Sequence, residues 1–157
     1  MKYLKLLISI VTFFPLVLFG AEEKRKEVTP AVTHLKQRLP EWYPKINEKH
    51  PNGSPKLVIF YEEDELGKEQ PVKQITFFET GQTQEEIDLI AVEQKELDGS
   101  VSQKGVPHGV GVLFHENGQI KRVTFFDQGA LHGTSKIFYP DGKLNHVTTY
   151  KKGLPDG

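Results

Sequence analysis

The stretch "GVGVLFHENGQIKRVTFFDQGALH" at 109–132 lies without a gap over "GTSKIFYPDGKLNHVTTYKKGLPD" at 133–156. Phe114 falls on Phe138, Asn117-Gly118 on Asp141-Gly142, Ile120 on Leu144, Val123 on Val147, Phe126 on Tyr150 and Gly129 on Gly153. An offset that keeps glycine, aromatic and β-branched positions together is a repeat, and a repeat settles architecture ahead of local propensity. Further back, "KQITFFETG" (73–81) matches "KRVTFFDQG" (121–129), so glycines stand at 81, 105, 129 and 153.

Each unit reads as a β-hairpin. Asx-Gly between alternating runs is a strong hairpin signal. In "YPDG" (139–142) proline suits the second position of a type I turn, and Gly142 the left-handed position that follows. That combination predicts a three-residue loop with a glycine bulge, pairing Phe138 with Leu144 and, around Gly118, Phe114 with Ile120. On this register Phe126 and Tyr150 join those side chains on one face. Leu113, Ile137, Val123 and Val147 take the other. The pentapeptides at 105–109, 129–133 and 153–157 then read as return turns. Gly105, Gly129 and Gly153 would end a strand, and Gly109, Gly133 and Gly157 begin the next. The expected fold is mainly β, an antiparallel meander of repeated hairpins in a single-layer sheet with a short N-terminal helix.

The repeat G-x-x-x-x-F-x-x-N/D-G-x-I/L followed by F/Y-x-x-G-x-x-x-G resembles the bacterial variant of the MORN repeat, which includes antitoxin-type relatives. The resemblance covers 109–156 well and 50–108 more weakly. It implies a sheet of stacked hairpins used for binding and scaffolding, with architecture specified more sharply than partner.

Upstream the pattern loosens. "HPNG" (50–53) with Tyr61 imitates Gly142 with Tyr150 but is out of phase, which implies an insertion between 62 and 72. Residues 82–104 keep the length of one period without its aromatics. Thr83 and Glu86 fit a capping box, with Ile87, Ile90, Ala91 and Leu97 on one helical face. A degenerate hairpin is the alternative, and the unbroken period favours it. Thr29-Pro30 reads as a helix cap and first turn, continued by Val32, Leu35 and Leu39 and stopped by Pro40.

The first residues carry a different message. Lys2 and Lys5 precede an apolar run from Leu6 to Phe19, then Gly20-Ala21 and a charged stretch. This is the order of a secretory signal peptide, and the run is shorter than the roughly 20 apolar residues of a membrane span. An uncleaved anchor is the alternative. The expected organisation is a leader over 1–20, a charged linker (22–28) and short helix within 21–49, and the repeat domain over 50–157. The destination is periplasmic or extracellular. The chain has no cysteine, so disulfides, thiol nucleophiles and lipid attachment through cysteine are excluded.

Charge narrows the partners. Lys56 to Gly99 hold 4 basic and 12 acidic residues, and Lys104 to Gly157 hold 7 and 4. Without a basic face, nucleic acid is not an expected partner. The acidic middle would be repelled by an anionic bilayer, which disfavours membrane contact.

Chemistry finds no foothold. His108 and His132 hold the same place in successive turns, but equivalents one hairpin apart lie about 10 Å apart, too far to share zinc, whose nitrogens sit at roughly 2.0–2.1 Å. Asp156 breaks the series. His115 with Glu116, or His146 with Asp141, lacks the third group and enclosed pocket of a catalytic constellation. Glu62 to Glu65 read as solvated. "GVPHGVG" (105–111) is not followed by the lysine-serine pair and helix of a phosphate loop. No metal or cofactor is expected.

The apolar residues on both faces are the best functional clue, because one layer cannot bury both and something must cover one side. The expectation is a non-enzymatic module binding a protein, or a glycan, in the cell envelope. A membrane-surface scaffold, an antitoxin-like binding protein and an enzyme of unrecognised type are the alternatives. Tyr139, His146 and Tyr150 are the candidate contact residues, since tyrosine combines an apolar ring with a polar tip. The edge of the final strand is the candidate route for a partner strand or for self-association.

Overall fold

The computed structural model describes residues 34–156. Its strands are β1 (Tyr43–Lys49), β2 (Pro55–Glu63), β3 (Glu69–Phe77), β4 (Thr83–Lys95), β5 (Val101–Phe114), β6 (Ile120–Asp127), β7 (Ala130–Leu131), β8 (Gly133–Phe138), β9 (Leu144–Lys151) and β10 (Leu154–Pro155). They form one antiparallel sheet in sequence order, with β7 and β8 sharing the same edge of β6. The fold is therefore a single-layer meander. It begins at Tyr43, inside the segment 21–49 expected to precede the repeats, because β1 pairs along β2 from Tyr43↔Tyr61 to Lys49↔Pro55.

The bulged turn is confirmed. Gly142 N–H donates to Tyr139 O and Tyr139 N–H to Lys143 O, both at 2.9 Å, with Gly142 at φ 83°. Phe138 pairs with Leu144, and Phe114 with Ile120. The same two backbone bonds close the turns at 50–54, 64–68, 78–82, 96–100 and 115–119. The supposed insertion after 62 is thus the 64–68 turn. Residues 82–104 are β4, the 96–100 turn and the start of β5, a hairpin rather than a capped helix.

The return turns are a second type. Gln128 and Gly129 (φ 46° and 87°), then Lys152 and Gly153 (51° and 83°), make two-residue turns with both residues left-handed, whose twist matches that of the flanking strands. Gly129 N–H donates to Pro107 O at 2.7 Å and Gly153 N–H to Leu131 O at 2.8 Å, tying each turn to the preceding repeat. Gly133, at φ 70°, marks the break between β7 and β8.

Gly105 and Gly109 do not flank a turn; both lie inside β5. The reason is that β4 and β5 are long, which moves the reversal back to 96–100. A Cβ on Gly105 would lie 2.9 Å from Leu89 Cδ1, so its glycine answers to packing. Gly109, at φ 90°, lies at the bulge where pairing slips between Ile87↔Gly111 and Leu89↔Pro107.

The single aromatic face is also corrected. Leu113 pairs with Arg122 and Phe114 with Ile120, leaving Lys121 as an extra residue; Asn145 is the extra one in the next hairpin. Each extra residue reverses the alternation beyond it. Phe114 and Phe138 therefore pack on the Val110, Val112 and Val123 cluster. Phe126 turns to the opposite face, where its ring lies 2.8 Å from the Cβ position of Gly111, and by alternation Tyr150 follows it. Leu113 and Ile137 likewise separate from Val123 and Val147, since Val112, Val123, Lys136 and Val147 are the mutually paired set.

A strap made of residues 34–42 crosses the face that carries Val112. His34 lies 6.4 Å from Phe125 ring to ring, and Leu35 packs on the valine cluster. Lys36 N–H donates to Asp88 Oδ2 at 2.9 Å. The Arg38 guanidinium lies 5.5 Å from the centre of the Phe60 ring, and Trp42 Nε1 donates to Glu62 Oε2 at 2.8 Å. The expected helix starts outside the described residues. From Lys36 to Leu39 there is no helical turn; the Lys36 N–H goes to Asp88 of the sheet.

Candidate binding surface

The C-terminal hairpin carries the three expected contact residues. Alternation puts His146, Thr148 and Tyr150 on the face away from the strap, across from Ile137, Ser135 and Gly133. His146 Nε2 lies 2.7 Å from Thr148 Oγ1. Tyr150 is half-buried, and Tyr139, at the turn, is 50% exposed. At about 3.4 Å per residue His146 and Tyr150 stand roughly 13 Å apart. The three side chains thus line one hairpin as a stripe and do not converge on a pocket.

The two outer edges of the sheet differ. β9 pairs with β8 on one side; on the other, β10 reaches only Tyr150 and Lys151, with one more bond from Asp156 N–H to Thr149 O. Among the described residues, nothing pairs with the outer edge of Leu144–Thr148, a run without Lys, Arg, Asp or Glu. β1 carries Pro44, Lys45, Glu48 and Lys49, with two breaks in register near Glu48. Proline, charge and bulges are the usual protection of an edge. Of these, the Leu144–Thr148 run has the bulge at Asn145 but neither proline nor charge.

Several of the polar groups considered for chemistry have structural duties. His115 Nε2 donates to Phe138 O at 3.1 Å and Asn117 Nδ2 to Pro140 O at 2.9 Å, fastening one turn to the next along the same side of the sheet. His50 repeats this with Phe77 O at 2.9 Å. Sequence reasoning missed these fasteners, although the H-x-N-G shared by 50–53 and 115–118 was the signal. Asp141 accepts the Lys143 N–H at 3.0 Å, so it does not serve His146. His108 Nδ1 accepts from Gln128 N–H at 3.3 Å.

Of the four consecutive carboxylates, Glu62 holds Trp42, and Asp64 accepts the N–H groups of Leu66 and Lys68. The Lys68 N–H bond above all keeps the Asp64 carboxyl below its ordinary value. Burial pushes Glu85 upward, partly offset by Arg122 at 4.0 Å. The Tyr43 hydroxyl is pushed up to about 12 by desolvation and by Glu69, which accepts its hydrogen bond at 2.7 Å. Among the described residues, no three His, Asp or Glu side chains gather as a metal would require.

A single sheet of stacked hairpins in sequence order, with one edge run unpaired among the described residues, has the build of a repeat module. Residues 107–128 and 131–152 both match the model of the MORN repeat variant, so the chain carries two adjacent repeats of that kind. Such repeats are in general non-catalytic modules that bind proteins or lipids. No curated protein and no solved structure matches the chain.

Proposed function

We propose that this chain is an exported, non-catalytic module that holds a protein partner of the cell envelope on its C-terminal hairpin. The main support is an unequal covering of the sheet. The strap lies over the centre of one face, while the stripe of His146, Thr148 and Tyr150 and the adjoining β9 edge have no covering layer among the described residues. A partner strand added to β9 would gain backbone hydrogen bonds, with alternate side chains supplying selectivity. The acidic stretch from Lys56 to Gly99 argues against an anionic bilayer as the target. Export rests on the leader-like first 20 residues.

The test replaces Tyr139 and Tyr150 by serine and follows both melting and capture of envelope proteins on the immobilised chain. Lost capture with unchanged melting is expected. Lost folding would instead make these rings part of the core and remove the proposed contact. Intact mass of the protein recovered from cells should show a start at Ala21 or Glu22; a full-length chain in the cytosol contradicts export.

A further inference from the structure

Lys73 is the largest fully buried side chain among the described residues, with 0% exposure. It stands on β3 directly opposite Asp88 on β4. Its Nζ lies 2.8 Å from Asp88 Oδ1 and 2.6 Å from Glu86 Oε1. The Asp88 side chain is 2% exposed and Glu86 21%. The strap closes the site from above, where Lys36 N–H donates to the other Asp88 oxygen, Oδ2, at 2.9 Å.

As an ion pair this is an expensive arrangement, since an apolar replacement of the same shape is often as stable. As a reaction site it is complete. An amine nitrogen touches a carboxyl group, a second carboxylate touches the same nitrogen, and a backbone N–H is aimed at the oxygen that would carry the developing charge. We propose that Lys73 and Asp88 condense into an intramolecular isopeptide bond, with Glu86 as the catalytic proton relay.

The step balances within the chain. One proton passes from the Lys73 ammonium to Asp88 Oδ1 across their contact, leaving a neutral amine and a neutral acid. Nζ then attacks Asp88 Cγ. The charge gathers on Oδ2, where the Lys36 N–H stabilises it as an oxyanion-hole donor does. Glu86 accepts the second proton from Nζ and delivers it to Oδ1. The Cγ–Oδ1 bond breaks, water leaves, and Oδ2 becomes the amide oxygen. Nζ loses two protons, Oδ1 gains both, Glu86 returns to its starting state, and no oxidant or cofactor takes part. Held in contact, the groups gain effective molarities that reach roughly 10⁵–10⁸ M in favourable cases. Exclusion of water opposes the reverse hydrolysis. The bond would staple β3 to β4 in a chain that has no cysteine with which to form a disulfide.

Mass spectrometry of the folded, full-length chain tests for the bond. The expected result is a deficit of one water, with trypsin yielding a single linked species spanning 69–95. Separate peptides 69–73 and 74–95 at full mass would overturn the proposal. So would a deficit mapping to Asp98-Gly99 or Asp141-Gly142, where cyclisation of aspartate onto the next amide also expels water. Glu86→Gln should restore the full mass in a protein that still folds; undiminished linkage in that variant refutes the relay. If the variant does not fold, the wild-type peptide map still shows whether the bond forms.

Discussion

Val123 and Val147 hold the same position in successive repeats, yet one is 1% exposed and the other 45%. Ile120 and Leu144 differ likewise: the first packs on the valine cluster, and the second is 54% exposed. Sequence-equivalent residues thus do unequal work. The repeat encodes a hairpin, and burial is decided by what lies on it. Over β5 and β6 that is Leu35 of the strap, which packs on the valine cluster beside the sheet's own Phe114, Phe125 and Phe138. Over β9 there is no such layer among the described residues, so the same pattern that makes a core in one place makes a surface in the next.

Substitutions can probe this contrast, beginning at the strap's anchor. Asp88→Ala removes the acceptor of the Lys36 N–H and one of two partners of buried Lys73. It should cost about 3–5 kcal/mol, the range for breaking a buried charge pair, and more where the two side chains are joined covalently. Chemical denaturation reads it, and a loss under about 1 kcal/mol, the level of an exposed pair, would mean that the strap and its ion cluster are not docked. Val123→Ala should cost about 2–3 kcal/mol through lost transfer energy and a cavity. Val147→Ala should stay within about 0.5 kcal/mol. Equal costs would erase the difference between the two repeats.

The turns give smaller effects. Gly142→Val places a β-branched residue at φ 83° and should lose about 1–3 kcal/mol, whereas Lys143→Ala should be near neutral. Equal melting temperatures for the two would contradict the bulged turn. A weaker dependence, on pH, comes from the same turn. Asp141 is held below its ordinary carboxyl value by the Lys143 N–H and then by the Lys143 side chain. Its folded value is therefore below its unfolded one. Its contribution is fully present above the unfolded value and is lost as pH falls through the folded one. Asp141→Asn should flatten the acid limb of the stability curve; Asn117 already does the same turn duty without titrating, accepting the Gln119 N–H at 3.0 Å. An unchanged acid limb would show that this carboxylate is indifferent.

The hairpins were legible because their signals are local: Asp141-Gly142 and Asn117-Gly118 specify the bulged turn and its register from a few residues. The face of each aromatic was not. Lys121 and Asn145 slip into the ladder just after the turn, and a single extra residue inverts every side chain beyond it. The role of Gly105 was equally hidden, since Leu89 and Pro71 approach it from distant strands. The strap escaped for another reason. "VTHLKQRLP" has helical spacing, but its anchors, Asp88, Phe60 and Glu62, become visible only when the sheet has formed. Tyr139, His146 and Tyr150 were placed together on one hairpin by the repeat alone, and their spread along it follows from strand geometry.

Residues 34–42 lie over the centre of one face of the sheet and leave the β9 edge unpaired, and hydrogen exchange resolved to single amides reads both features at once. The Lys36 amide, bonded to Asp88, and the amides of β5 and β6 should exchange slowly, while Leu144–Thr148 should include amides that exchange fast. A Lys36 amide exchanging as quickly as an unfolded chain, or a β9 edge as protected as β5 in the isolated protein, would contradict this arrangement.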